Sequence, residues 1–139
     1  MLVLDTNVLS EVMKPSPEPI VARWMIDVRG RKLFTTATTE AEIIFGISIL
    51  PDGRRKRDLE LAAERVLGMF GGHILPFDSA AARLFAVIVG DCRRLGRPIQ
   101  LFDAQIASIT RSYGFTLATR DVRDFADAGV PLIDPWRVA

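Results

Sequence analysis

Two apolar runs of the chain each end on an aspartate, one near the start of the sequence and one near its end. The run MLVL is followed at once by Asp5, and the run in FTLATRD leads to Asp121. If both runs are strands of one parallel sheet, their carboxyl ends lie at the same edge, where open α/β sheets bind ligands. The two acids therefore predict a site at that edge. The alternative is that each aspartate only caps the helix that follows it.

Two further acids lie on apolar faces of predicted helices. In LFDAQIASITRSYG, Asp103 shares a helical face with Ile106 and Thr110, and no basic residue lies three or four positions away. In TTEAEIIFGISIL, the neighbours of Glu42 on its face are threonine, apolar residues and glycine. Glu40 needs no such explanation, because the helix N-terminus favours negative charge. Glu42 and Asp103 therefore break the usual helical pattern.

A carboxylate buried without a partner is costly, so its surroundings must compensate for the charge. The usual compensation is a raised pKa, an arginine from elsewhere in the fold, or a metal ion. If the four acids converge, a divalent cation would remove their repulsion, and Mg²⁺ and Mn²⁺ prefer oxygen ligands. Such an ion can polarise a phosphoryl oxygen and activate water. Because arginine, which suits phosphate contacts, far outnumbers lysine, the pattern favours phosphodiester hydrolysis. Arg120 is a candidate phosphate ligand whose position the sequence leaves open.

Strands and helices that must position these acids alternate along the sequence. Strands are predicted in LVL (2–4), LFTT (33–36), HILPF (73–77), FTLAT (115–119) and VPLI (130–133). The segments between them read as helices, with caps at Asp78 and Ser79 and a short helix over 122–128. This alternation predicts an α/β fold whose parallel sheet is covered by helices on both faces.

Composition restricts the class of protein further. The 139 residues and formal net charge of +1 are typical of one globular domain, predicted over 1–139. The apolar runs are far shorter than the roughly 20 residues of a membrane span, so we expect a cytoplasmic protein. A lone Cys92 and a lone His73 exclude an internal disulfide and a cysteine- or histidine-rich metal cluster. The basic run Arg54–Arg57 is either a phosphate-binding patch or a solvated helix start.

Six segments in order along the chain carry a resemblance to a known family. They are LDTNVLSE (4–11), TEAEIIFGI (39–47), ILPFD (74–78), FDAQIAS (102–108), YGFTLATRDVRDF (113–125) and DPW (134–136). Together they resemble the PIN-domain ribonucleases, and among these the VapC-like toxins of type II toxin–antitoxin pairs, especially the FitB-like branch. The resemblance implies a three-layer fold with a five-stranded parallel sheet flanked by helices. It also implies Mg²⁺- or Mn²⁺-dependent RNA cleavage, a homodimer, and a small DNA-binding antitoxin partner with which the chain represses its own operon.

The same resemblance implies roles for individual residues. The implied catalytic acids are Asp5, Glu42, Asp103 and Asp121. Asp5, Asp103 and Asp121 would hold the metal, and the hydroxyls of Thr6 and Thr119 would support the site. Asn7 belongs to the first motif, with either a supporting role or a turn or cap role. Asp124 lies one helical turn beyond Asp121 as a further acid, and the bulky Leu101 and Phe102 depart from the small residues usual before the third acid.

Other functions fit the residues less well or differ in kind. A phosphoaspartyl phosphatase needs a second acid two residues after the first, where this chain has Asn7. A dinucleotide oxidoreductase needs a glycine-rich turn after the first strand, and the sequence has none there. The main alternative is a binding module of the same fold, which partners a DNA-binding antitoxin in operon regulation with little or no catalysis.

Overall fold

Strands and helices alternate along residues 1–138, which are the residues that the computed structural model describes. The strands are β1 (Leu2–Leu4), β2 (Leu33–Thr36), β3 (Ile74–Leu75), β4 (Thr116–Ala118) and β5 (Leu132–Ile133). The helices are α1 (Thr6–Val12), α2 (Pro19–Val28), α3 (Ala37–Ser48), α4 (Arg54–Gly68), α5 (Ser79–Arg94) and α6 (Leu101–Ser112). The five predicted strands are thus confirmed, with β3, β4 and β5 shorter than the segments that predicted them.

One parallel sheet contains all five strands, in the spatial order β3-β2-β1-β4-β5. The central strand β1 pairs with β2 on one side, where Leu2 is opposite Leu33, and with β4 on the other, where Leu4 is opposite Ala118. The chain therefore builds outward from β1 in both directions. This reversal of strand order between β1 and β4 opens a crevice at the carboxyl ends of those two strands.

Helices cover both faces of the sheet, as the sequence predicts. Leu2 and Leu4 belong to one core, which includes Val8 and Leu9 of α1 and Ile43 of α3. The intervening residue of β1 points to the opposite face, because side chains alternate along a strand. That face packs against α5 and α6 in a second core, formed by Val3, Ile88, Ile106, Ile109, Leu117 and Phe125 among others. The result is the three-layer arrangement of helices, sheet and helices.

The segment over 122–128 is not the short helix that the sequence predicts. It forms successive turns, in which Asp124 N donates to Asp121 O at 3.0 Å and Ala128 N donates to Phe125 O at 3.1 Å. Nucleating a helix is costly, and so short a segment gains little from propagation. Packing settles the conformation instead, because Phe125 is only 1% exposed and lies in the second core.

The basic run Arg54–Arg57 forms the start of α4, where its three arginines are exposed and Lys56 Nζ lies 3.2 Å from Asp52 Oδ1. Exposed arginines fit both a solvated helix start and a phosphate-binding patch, so the role of this run stays a prediction. Within residues 1–138, none of the helices combines the length and the apolar character needed to cross a membrane.

Candidate active site

The crevice at the carboxyl ends of β1 and β4 contains the first group of predicted site residues. Asp5 follows β1 directly, and its backbone N donates to Ala118 O, the last residue of β4, at 3.0 Å. Thr119, Arg120 and Asp121 follow β4 in turn. The two apolar runs that end on aspartates are therefore neighbouring strands, and the sheet brings both acids to one place.

Asp5 makes two different hydrogen bonds with its two carboxylate oxygens. Oδ1 accepts from the backbone N of Thr6 at 2.8 Å, so Asp5 does cap α1. Oδ2 accepts from the Thr119 hydroxyl at 2.7 Å. The side chain is 4% exposed. Asp5 is thus a helix cap through Oδ1, as the alternative predicts, whereas Oδ2 is bound by Thr119 at the end of the neighbouring strand β4.

Thr119 connects the ends of the two strands. Its hydroxyl oxygen also accepts from the backbone N of Asp121 at 3.0 Å and lies 3.3 Å from Asn7 Nδ2. Asn7 Nδ2 donates to Asp121 Oδ2 at 3.0 Å, and Asn7 Oδ1 accepts from Arg120 N at 3.3 Å. Asp121 caps no helix, because turns follow it. Asn7 therefore has a supporting position in the site as well as a place in the first turn of α1.

Glu42 reaches the same site from α3. The Thr6 hydroxyl donates to Glu42 Oε1 at 2.8 Å and lies 3.2 Å from the hydroxyl of Thr39. Thr36 begins the helix, since its hydroxyl accepts from Thr39 N at 3.0 Å. A chain of threonine hydroxyls thus fixes the start of α3 against α1 and holds one Glu42 oxygen.

Asp103 differs from the other three acids. It lies in the first turn of α6, half-buried, and within residues 1–138 its carboxylate accepts no hydrogen bond. Burial raises the pKa of Asp103 to about 6, and the negative charges of Asp5, Glu42, Asp124 and Asp121 add to the effect. Burial also raises the pKa of Asp5 to about 6, although the hydrogen bonds from Thr119 and Thr6 oppose it.

All four predicted catalytic acids line one cavity of about 420 Å³. They are Asp5, Glu42, Asp103 and Asp121. In the part of the chain that the structure describes, none of them forms an ion pair with a lysine or arginine. Glu11 in the same cavity is different, since Lys14 Nζ lies 2.9 Å from its Oε1. The cavity therefore concentrates negative charge that its own basic residues do not neutralise.

The donors in this cavity suit a hard divalent cation. Carboxylates, hydroxyls and one amide line it, and Mg²⁺ prefers such oxygens. Across residues 1–138, however, no three acidic, histidine or cysteine side chains are grouped closely enough to enclose an ion. Mg²⁺ usually binds through one or two carboxylates and keeps several waters, so an open set of oxygens is compatible with it.

Two residues of the cavity, Glu11 and Trp136, received no site role from the sequence, although both lie in segments that carry the family resemblance. Glu11 is buried, and its Oε2 accepts from the backbone N of Glu18 at 3.0 Å, so it ties α1 to the start of α2. The sequence signal for a paired Glu11 was Lys14, which lies three positions later and can form an ion pair with it on the same helical face. Trp136 also lines the cavity, although it lies 15 residues after Asp121 in the chain. Asp124 lies outside this cavity, and the lone His73 bonds Leu33 O at 3.0 Å beside β2.

The raised pKa values predict how the stability of the metal-free protein depends on pH. A carboxylate whose pKa is higher in the folded state binds more protons there, so its contribution to the unfolding free energy falls as pH rises from about 4 to above 6. Asp103→Asn removes one such group. We expect the variant, in chelator, to melt a few degrees above the wild type at neutral pH and at nearly the same temperature near pH 4. Thermal melts across this pH range test it, and a difference that does not change with pH would contradict it.

The chain is similar to known proteins over nearly its whole length. The family model described as "PIN domain" matches residues 2–131. The "VapC ribonuclease Y4jK" of Sinorhizobium fredii is 37% identical over 100% of both chains. The "Toxin FitB" of Neisseria gonorrhoeae is 35% identical over 98% of this chain and 99% of its own. The solved structure of FitAB bound to an IR36 DNA fragment superposes with a TM-score of 0.89 at 34% identity, covering 100% of this chain and 98% of that one. These matches confirm the resemblance that the sequence motifs carry.

Proposed function

The chain belongs to the PIN-domain family, and from this premise we propose that it is a metal-dependent endoribonuclease, the toxin of a type II toxin–antitoxin pair. One observation carries the proposal. Four carboxylates from four separate segments line one cavity at the end of the central strands, and within residues 1–138 no basic side chain pairs with them. A fold does not keep such a group for stability, because their mutual repulsion and burial oppose folding.

Asp5, Asp103 and Asp121 are the residues that would hold Mg²⁺ or Mn²⁺. When bound, such an ion supplies positive charge that stabilises the charge developing on a phosphodiester and makes water more acidic. Thr119 and Thr6 keep oxygens of Asp5 and Glu42 in fixed directions, at 2.7 and 2.8 Å respectively. This preorganisation spares the acids a rearrangement during the reaction.

The chain's own residues can also handle the proton of the reaction. In hydrolysis, water attacks phosphorus, the bond to the 3′ oxygen breaks, and that oxygen takes a proton from solvent, so that the products carry 5′-phosphate and 3′-hydroxyl ends. The Asp103 carboxylate accepts no hydrogen bond from residues 1–138, so its oxygens are open to a water molecule. Asp103 or Glu42 takes the proton that the attacking water releases.

We propose that the chain acts in the cytoplasm as a homodimer, inhibited by a small DNA-binding antitoxin. The similarity to FitAB, which was solved as a complex on DNA, supports such a partner. The similarity to proteins named a VapC ribonuclease and a toxin supports RNA as the substrate.

Chelation tests the metal requirement directly. We expect the chain, purified without a partner, to cleave RNA in Mg²⁺, to lose cleavage in EDTA, and to recover it when excess Mg²⁺ or Mn²⁺ is added. The reason is that the four carboxylates repel both each other and the RNA backbone unless a cation compensates for them. Cleavage products are measured on a denaturing gel. Full activity in EDTA would contradict the metal-dependent mechanism.

A second candidate function is a binding module that acts only with its antitoxin on operator DNA. The likeness to a toxin–antitoxin complex bound to DNA is the observation that favours it. The two functions differ in turnover, because a binding module would form the complex but leave RNA intact in Mg²⁺. Metal-dependent thermal stabilisation accompanied by RNA cleavage would favour the enzyme.

A further inference from the structure

Arg120 and Trp136 form a cation–aromatic pair at the rim of the acidic cavity. The guanidinium carbon of Arg120 lies over the Trp136 ring, 5.0 Å from its centroid. Both residues line the same cavity as the four acids. Arg120 comes from the end of β4, whereas Trp136 follows β5, so the pair exists only because these strands are neighbours.

Arg120 lies among the carboxylates of the cavity without forming an ion pair in the described chain, although its charge, after the hydrogen bond from Lys14, is one of the smaller causes that lower the pKa of Glu11. Within residues 1–138, its guanidinium has no ion-pair partner at 4.0 Å or less, although it adjoins Asp121 in sequence and shares the cavity with Asp5. Lys14, the other basic residue of the cavity, is bound to Glu11 at 2.9 Å. Arg120 is therefore the cationic group of the described cavity that is still available to an anion.

Trp136 is held firmly enough to position this arginine. Its backbone N donates to Asp134 Oδ1 at 2.9 Å, and its ring packs against the core that contains Leu4 and Leu9. Its Nε1 is buried and has no hydrogen-bond partner within residues 1–138. Since an unpaired buried donor is unfavourable, the indole at this position is explained by its aromatic face and its packing rather than by its N–H group.

Together these contacts separate positive from negative charge inside one cavity. The aromatic face attracts the guanidinium electrostatically. This attraction favours the observed position of Arg120 over one in which it forms an ion pair with the acids. A phosphodiester chain presents repeated anionic groups, and arginine binds phosphate oxygens through a planar pair of donors. The acids cannot contact such a chain without a cation, but Arg120 can.

We propose that Arg120 binds a backbone phosphate of single-stranded RNA beside the bond that is cleaved, and that Trp136 positions its guanidinium for this contact. The proposal rests on the ribonuclease function above and specifies how that site binds its substrate. Because the contact is to the backbone, it carries no sequence preference of its own. Trp136 acts through Arg120 and is a positioning residue.

Binding of a labelled single-stranded RNA oligonucleotide, measured by fluorescence anisotropy over a range of KCl concentrations, tests the proposal without requiring turnover. The Asp103→Asn chain in Mg²⁺ serves as the parent for all variants. We expect Arg120→Gln to weaken binding about tenfold and to make the slope of log K against log salt shallower by about 0.7, as for one lost phosphate contact on a single strand. The matched control is Arg29→Gln, which removes the same charge from the exposed end of α2 at the opposite edge of the sheet.

Two substitutions separate positioning by Trp136 from simple packing. Trp136→Phe keeps an aromatic face but loses the unpaired N–H and part of the indole ring, so we expect RNA affinity and salt slope near those of the parent even if the variant is less stable. Trp136→Leu removes the aromatic face, so we expect the behaviour of Arg120→Gln. If the Trp136→Phe and Trp136→Leu variants have the same RNA affinity and the same salt slope, Trp136 does not act through Arg120.

Arg120→Gln decides the proposal even if a tryptophan variant fails to fold, because Arg120 is exposed. Binding and salt slope equal to those of Arg29→Gln would overturn it, while the proposed ribonuclease function would stand if the wild type still cleaves RNA. RNA binding that depends on Arg120, in a wild-type chain without cleavage in Mg²⁺, would support the contact and reject the ribonuclease function.

Discussion

Replacing Asp103 by asparagine is expected to lower RNA cleavage at least about 100-fold while the protein stays folded. The substitution preserves shape but removes the negative charge, and with it a metal ligand and a proton acceptor. Because the carboxylate accepts no hydrogen bond from residues 1–138, no internal contact is lost. Single-turnover cleavage in Mg²⁺ measures the effect, and circular dichroism verifies the fold.

Asp58→Asn is the matched control for this substitution. Asp58 is an exposed acid on α4 outside the acidic cavity, so the same chemical change should leave cleavage unaltered. Asp5→Asn is expected to lose activity as Asp103→Asn does. Cleavage near wild-type rates in both Asp5→Asn and Asp103→Asn would rule out the carboxylate mechanism.

Thr119→Val is expected to lower the unfolding free energy by about 2–3 kcal/mol and to reduce cleavage as well. Thr119 is completely buried, and valine matches its shape without its hydroxyl. The substitution leaves Asp5 Oδ2 without its donor at 2.7 Å and the Asp121 backbone N without its acceptor at 3.0 Å. Loss of the hydroxyl would also raise the pKa of Asp5 further, because that hydrogen bond lowers it. Urea unfolding measures the stability.

Thr119→Ser separates the hydroxyl from the methyl group. Serine keeps the hydrogen-bonding oxygen and loses only a methyl, so we expect it to retain most of the cleavage rate that valine loses. If serine and valine variants cleave RNA equally well, the hydroxyl does not support the site.

The sequence indicated four of the five acids that line the cavity, because the signals of those four are local. An apolar run that ends on Asp5, and a carboxylate such as Asp103 on an apolar helical face, both contradict the ordinary pattern, and each can be read without knowledge of the fold. The strand LFTT was likewise predicted at its observed bounds, since β-branched and aromatic residues favour strands. The prediction that failed, a helix over 122–128, concerned a segment whose conformation depends on burial of Phe125 in a distant core. The catalytic roles of the acids stay predictions until the substitutions above are tested.

What the tertiary structure alone decided is the set of contacts between elements far apart in the chain. The sheet order places β1 between β2 and β4, and this brings Asp5 within hydrogen-bonding distance of Thr119. The same order brings Arg120 over Trp136, a pair that no spacing in the sequence indicates. Hydrophobic periodicity records which face of an element is buried, but not which element covers it. The sequence therefore indicated the four predicted acids. Only the packing of strands and helices decided their hydrogen-bond partners and the position of Arg120 beside them.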